Sequence, residues 1–457
     1  MNSEITPKKR FYKLAPLSLV HLRIYLAIIL GQFTCGYAIE ISGTAVTEAQ
    51  KYITIPDVWV GLIGAGTLIG LAGSLLVGKL SDKVGRRRLL MLNMYLLTLI
   101  SLGQLFTSNL LATFLMRVLV GLMIAVDYTA GNTLLIEWLP LKESGRFQSH
   151  LVIYWTLGFI AGYAASAFIT GFGSMTWKLM MVSPAVFALI TAVFRSVAKL
   201  PTSPSWLVNQ GKPQAAQKVI RKNLGHKWGL SDKQKDAGKT ADASFSWTVV
   251  FTRKYLRNTS VGGVFYAAQS FTFFGISIFL PILVGQMGIT DTKMVGYLYN
   301  GSMLVGVLLG IVVFNRLSRR QFLIGDFALS AVCLLLLGFW RTMPTQLELV
   351  VFSLFSVLLS AGLVMDYPYT SELFDSSVRG TGVGMVVTFS RIGAAAGTFL
   401  LPIITTSMSV QMAMLICGAL LSFAGLFSLV LAPETSRKHL ARKAKSGAGM
   451  HNAPLQH

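Results

Sequence analysis

A few ionisable side chains stand where so apolar a chain should hold none. Asp127 falls in LMIAVDYTAGNTLLIEWLP, Glu40 in TCGYAIEISGTAV, Asp366 in MDYPYTSELFDSSVRG and Arg391 in TFSRIGAAAGTF. An ionised group in hydrocarbon costs several kcal/mol, so each must find a partner, hold a proton or face water. A carboxyl that gains or loses contact with an arginine changes its proton affinity with conformation, and one pKa unit is worth about 1.4 kcal/mol. Small movements then load and release a proton near neutral pH. Asp127, Glu40 and Asp366 are therefore candidates for proton coupling, with a structural hydrogen bond between helices as the alternative for Asp127. Arg391 either pairs with Asp366 or grips a substrate carboxylate or phosphate in a fork.

The elements that must hold these groups follow from composition. Of 457 residues, 53% are hydrophobic and 13% charged, with a mean hydropathy of +0.61, whereas a soluble chain carries about 25% charged residues. The formal charge of +22 is spread over short clusters between long apolar runs, which argues against a nucleic-acid surface and for membrane topology. Cys35, Cys333 and Cys417 all lie inside apolar runs and read as small buried residues rather than disulfides or metal ligands. The chain shows no HExxH, GxSxG or Walker-type loop, so we expect no enzyme, no metal and no cofactor. The first apolar run begins beyond Lys8, Lys9, Arg10 and Arg23 and is too long for a cleaved signal, so it should remain as a span.

Apolar runs of about 20 residues, enough for a helix to cross roughly 30 Å of hydrocarbon, recur about twelve times. Their centres fall near Ala38, Ala72, Leu97, Val120, Leu157, Phe187, Thr272, Val305, Leu334, Val357, Thr388 and Leu420. Every second loop is basic, from Lys8/Lys9/Arg10/Lys13 through GKLSDKVGRRRLL to Arg437/Lys438/Arg442/Lys443/Lys445. By the positive-inside rule both termini are cytoplasmic. The segment from Lys199 to Arg257 is the one long polar interruption, with a short amphipathic helix expected around Ala215 to Lys222 and then a tract without period that reads as mobile. The predicted fold is all-α: a six-helix bundle over 1–200, a cytoplasmic linker over 201–257, a second six-helix bundle over 258–433 and a cytoplasmic tail over 434–457.

The two bundles repeat one another. Asp127, Glu137 and Arg146 in the first match Asp366, Glu372 and Arg379 in the second, and SDKVGRRRLL has a degenerate partner in NRLSRRQFL. With GKLSDKVGRRRLL carrying Gly78, Asp82, Gly85 and Arg86 to Arg88, the chain resembles the major facilitator superfamily over essentially its whole length. Within it, PTSPSWLVNQGK, ELFDSSVRGTG and APETS resemble the sugar-porter and metabolite:H+ symporter branches, and the Asp-Tyr of span four with SRIGAA of span eleven resembles bacterial inner-membrane metabolite transporters. The resemblance implies a latch at the cytoplasmic ends built from Gly78, Asp82, Gly85, Arg86, Arg87, Glu137, Arg146, Glu372 and Arg379. It also implies that Arg117 is counter-ion to the span-one acid, which Glu40 represents here in displaced form. Two departures stand out: PTSPSW lacks the Glu and Arg of the family's PESPRW, and the paired span-seven glutamines of sugar carriers reduce to Gln269.

Tyr37, Tyr154, Trp155, Gln269, Tyr297 and Asn300 are expected on cavity-facing helices, where they would offer hydrogen bonds to a small polar solute. The expected function is a monomeric secondary carrier in the bacterial inner membrane, bound by lipid, that moves a small organic metabolite with protons by alternating access. Arg117 and Arg391 favour an organic anion. A sugar or organic cation substrate, an efflux antiporter and a non-transporting sensor with the same fold are the rivals. The efflux reading suffers because span five, YWTLGFIAGYAASAF, has no proline in its glycine-rich stretch.

Overall fold

The computed structural model describes residues 10–231, 247–286, 292–375 and 378–436. Eleven helices among them are long and apolar enough to cross a membrane, and a bent pair completes a twelfth span. Span one is Leu19–Ala49, span two Asp57–Ala72 with Leu76–Val84, span three Arg86–Phe106, span four Leu110–Trp138, span five Ser144–Phe168 and span six Gly173–Val197. Span seven is Leu256–Ile278, span eight Met294–Arg316, span nine Arg319–Phe339, span ten Thr345–Glu372, span eleven Arg379–Ser407 and span twelve Val410–Leu431. The 44° bend in span two falls at Gly73 and Ser74, a residue pair that typically yields such kinks. Hydrophilic caps set several of the helix starts: Asn109 accepts from the Ala112 amide at 3.0 Å and Ser318 from that of Gln321 at 3.2 Å.

Helix pairing repeats with an offset of six. Span one packs on five, two on four and three on six; span seven packs on eleven, eight on ten and nine on twelve. Glycines at matched places permit this. A Cβ on Gly158 would overlap the Phe33 carbonyl across spans five and one, and one on Gly397 would overlap that of Phe271 across eleven and seven. Gly121 against Thr67 and Gly306 against Val357 do the same for two with four and for eight with ten. Without a hydrophobic drive between helices in lipid, such backbone approach is what holds membrane helices in register.

Part of the linker is better ordered than its composition suggests. Helices Pro204–Asn209 and Pro213–Leu224 are followed by Trp228–Gly229, which pairs in parallel with Arg10–Phe11. Tyr12, Leu207, Ile220 and Leu230 close a small core there, and the Tyr12 hydroxyl donates to the Glu137 carbonyl at 2.9 Å. These contacts fasten the linker's first part to the basic end of span four. The aperiodic tract read as mobile lies mostly in 232–246, outside the described residues, as do most of the expected tail and the basic run from Arg437.

Candidate functional site

Within span four the helix widens into a π-turn over Asp127–Gly131, a device that re-aims side chains and often marks functional sites. On one side it sends the Asp127 carboxylate into the first half. There Arg195 of span six donates to both oxygens, at 2.9 and 2.7 Å, and Asn93 of span three donates at 2.6 Å. Arg195 also donates to the carbonyls of Ala27 and Leu90 at 3.0 and 3.1 Å. Both ionic groups are fully buried, and Gly31 leaves the space they fill. Asp127 thus holds spans one, three, four and six together. In the sequence Arg195 is inconspicuous, because a cation near a span's basic end looks like a topology signal.

On the other side of the π-turn, Tyr128 faces a cavity of about 550 Å³ between the halves. Its walls include Gln32, Tyr128 and Trp155 from the first half and Tyr266, Asp366, Tyr367 and Arg391 from the second. Arg391 is 4% exposed, its guanidinium carbon stands 5.5 Å from the Tyr128 ring centre, and its Nε has no partner. No ion pair joins Arg391 to Asp366 or to another described carboxylate. Asp366 instead accepts from the Gln269 amide at 2.9 Å, with the Gln269 oxygen taking the Leu363 N–H at 3.1 Å. Tyr128 and Tyr367 each follow the repeated aspartate, a signal that could have placed them on the wall.

Of the expected contact residues, Trp155 and Arg391 line the cavity and the rest do not; the coupling candidate Asp366 lines it too. Tyr37 points to span six, donating to Ser183 at 2.8 Å, and Tyr154 packs edge-on to Tyr25. Tyr297 is 44% exposed and meets the Tyr163 ring of span five edge-on at 5.8 Å, and Asn300 donates to its own helix at Gly296, 2.9 Å away. Helical rotation, which periodicity could not fix in spans apolar all round, accounts for these misses. Glu40 and Arg117 also lie off the cavity, and both are fully buried. Arg117 donates to the Ala38 carbonyl at 2.6 Å while its Nε and Nη1 have no partner; neither Glu40 oxygen has one. The expected pair between them is not formed in this conformation.

The latch residues fall within each half rather than across. Arg86 pairs with Glu137 at 3.0 Å in the first, and Arg319 with Glu372 at 3.4 Å in the second. Asp82 is 3.3 Å from Arg86, and its carbonyl takes the Trp206 indole N–H at 2.7 Å. Gly85 turns at φ 99° beneath that indole, a backbone state side chains rarely adopt. Trp206 and Gln210 of the linker thus hold the turn at Asp82. Arg87 and Arg146 are exposed, whereas Gly78 and Arg379 line the mouth of the cavity.

The cavity runs to this basic end and is shut at the other. There a Cβ on Gly43 would overlap the Ile278 carbonyl, one on Gly296 would overlap the Tyr163 ring, and Thr406 donates to Asp57 at 2.9 Å. All three contacts cross between the halves. Gly43→Val should forbid the closure: overpacking by about 1–3 kcal/mol is worth roughly tenfold or more in population. A cysteine at Gln32 should then react with impermeant reagents from the closed side as well, and unchanged labelling would refute this.

Twelve apolar spans, six plus six, around a one-ended cavity define a carrier of the major-facilitator type. The family model described as "Sugar (and other) transporter" matches residues 24–444, and the chain belongs to that family. It is 29% identical to the inner membrane metabolite transport protein YgcS of Escherichia coli, over 96% of this chain and 98% of that one. It is 27% identical to the putative metabolite transport protein YaaU of the same organism, over 93% and 95%. Its fold matches the E. coli xylose transporter XylE in a partially occluded inward open conformation, with a TM-score of 0.73 at 20% identity, covering 91% of this chain and 100% of that one.

Proposed function

We propose that this carrier imports a small organic anion with protons across the bacterial inner membrane, both termini lying in the cytoplasm. The first half (1–200) and the second (258–433) rock about the cavity, joined by the linker 201–257. The observation that carries the anion is Arg391, a buried cation on the cavity wall with no carboxylate paired to it among the described residues. Its planar donors suit a carboxylate, and the aromatic wall around it excludes water, which strengthens the contact. A sugar would not need this charge.

Proton coupling we assign to Glu40 with Arg117, and not to Asp127, whose charge is already matched. An ionised Glu40 with two unpartnered oxygens in the interior would cost several kcal/mol, so it carries a proton in this conformation. Arg117 anchors two residues away on the same helix and has free donors to take the carboxylate when the halves rearrange. Relatives named as inner membrane and metabolite transport proteins, and a fold neighbour described as a proton:xylose symporter, support the reading.

Uptake into proteoliposomes with an imposed pH gradient, screened over organic acids, sugars and amines, tests both parts. An organic acid should accumulate, and Glu40→Gln should abolish accumulation while leaving exchange of the same solute intact. Accumulation of sugars or amines alone would reject the anion, and undiminished accumulation by Glu40→Gln would reject its coupling role. Efflux of the solute under the same outside-acid gradient would favour the antiporter.

A further inference from the structure

The first half neutralises its buried acid with Arg195; its repeat does not. Asn93 ends RRRLLMLN where Asp326 ends RRQFLIGD, Asp127 repeats as Asp366, and Arg195 stands before Thr202-Ser203 as Ser428 stands before Thr435-Ser436. Helix contacts follow the same match, since span nine packs on twelve as three packs on six. A Cβ on Gly425 would meet Phe327 at 3.4 Å, and one on Gly418 would meet Leu335 at 3.0 Å, which sets Ser428 level with Leu323–Asp326. The trio Asn93, Asp127 and Arg195 thus becomes Asp326, Asp366 and Ser428. The exchange adds a carboxyl and removes the cation.

Packing around Gly362 draws the two acids together. Asp326 is 4% exposed and its Oδ2 has no partner; the Ser428 hydroxyl is fully buried and has none either. A Cβ on Gly362 would lie 2.5 Å from Asp326 Oδ2 and 2.8 Å from one end of the Gln269 carboxamide, whose other end bonds Asp366. Spans seven, nine and ten therefore bring Gln269, Asp326 and Asp366 around one glycine. The other titratable or charged groups facing Asp366 are Tyr266 of span seven, Tyr367 of its own span and Arg391 of span eleven, all on the cavity wall. No described cation makes an ion pair with either acid. Two charged carboxylates cannot stay buried together on those terms.

We infer that Asp326 and Asp366 form a second proton-binding site, in the second half, that holds at least one proton in this conformation and meets the cavity through Asp366. Its existence is independent of the symport reading; its use in transport rests on it. Among the described residues, Arg391 is the buried cation placed to approach Asp366 from the wall they share. An arriving anion engages the guanidinium, and a proton from cavity water then forms the O–H bond on the carboxyl. Anion and proton load together, and release of the anion returns Arg391 and expels the proton to water.

Infrared difference spectra of the full-length protein, titrated with pH and without substrate, read protonated carboxyls directly. Asp326→Asn should remove a protonated-carboxyl band that persists in Glu40→Gln, and Glu40→Gln should remove a different one. Ser428→Arg, which rebuilds the first half's arrangement, should bleach the Asp326 band by supplying the cation. Spectra unchanged by both Asp326→Asn and Ser428→Arg would overturn the site. So would a thermal stabilisation by sodium chloride over choline chloride that Asp326→Asn abolishes, since that marks a sodium site. Because no substrate is present, this outcome stands apart from the uptake assay.

Discussion

Arg195→Met should destabilise the folded protein by about 3–5 kcal/mol, the cost of leaving one partner of a buried ion pair alone. Asp127 would keep only the Asn93 amide at 2.6 Å in a fully buried position. Spans one, three and four would also lose the donors that reach Ala27, Leu90 and Asp127 from a single guanidinium. The double variant Asp127→Leu with Arg195→Met should recover much of that loss, since an apolar pair of similar volume is often as stable as the ions it replaces. Melting in detergent, followed by size-exclusion chromatography, checks both. A melting temperature equal to the parent's in Arg195→Met would refute the clamp. Transport per folded molecule gives a second readout: Asp127→Asn should keep its dependence on the pH gradient, which a coupling residue would not.

Arg391→Ala should weaken binding of the accumulated anion by about 10- to 150-fold, because a hydrogen bond to a charged group is worth about 1.5–3 kcal/mol. Arg391→Lys keeps the charge and loses the planar fork, so it should retain part of the affinity rather than all. The fold should tolerate both, since Arg391 enters no ion pair among the described residues and its contact with the Tyr128 ring, at 5.5 Å, is a modest one. Titration calorimetry on purified protein separates the effect from transport rate. Equal affinity in the three proteins would remove Arg391 from the site and with it the case for an anion.

These outcomes depend on residues that were unequally legible beforehand. Asp127, Glu40, Asp366 and Arg391 were conspicuous as charges in apolar runs, and all four are buried. Their partners were not. Arg195 lies far along the chain from Asp127 and looked like one more basic residue at a span end. Asp326 sits seven places after Arg319, close to a basic loop cluster, as its counterpart Asn93 stands seven places after Arg86. Only the repeat, read residue by residue, could have exposed it.

Hydropathy along the chain settled which segments become helices, because a peptide group in hydrocarbon must bond within its own helix. The duplicated Asp-Tyr, Glu and Arg positions settled that the fold is built twice, and GKLSDKVGRRRLL pointed to the superfamily. What face each span turns inward was left to the tertiary structure. Spans apolar on every side carry no periodic signal for rotation, and their register comes from glycine-to-carbonyl approaches such as Gly158 on Phe33 and Gly397 on Phe271. Those contacts join segments distant in sequence, and they alone decide that Asp127 meets Arg195 while Arg391 faces the cavity.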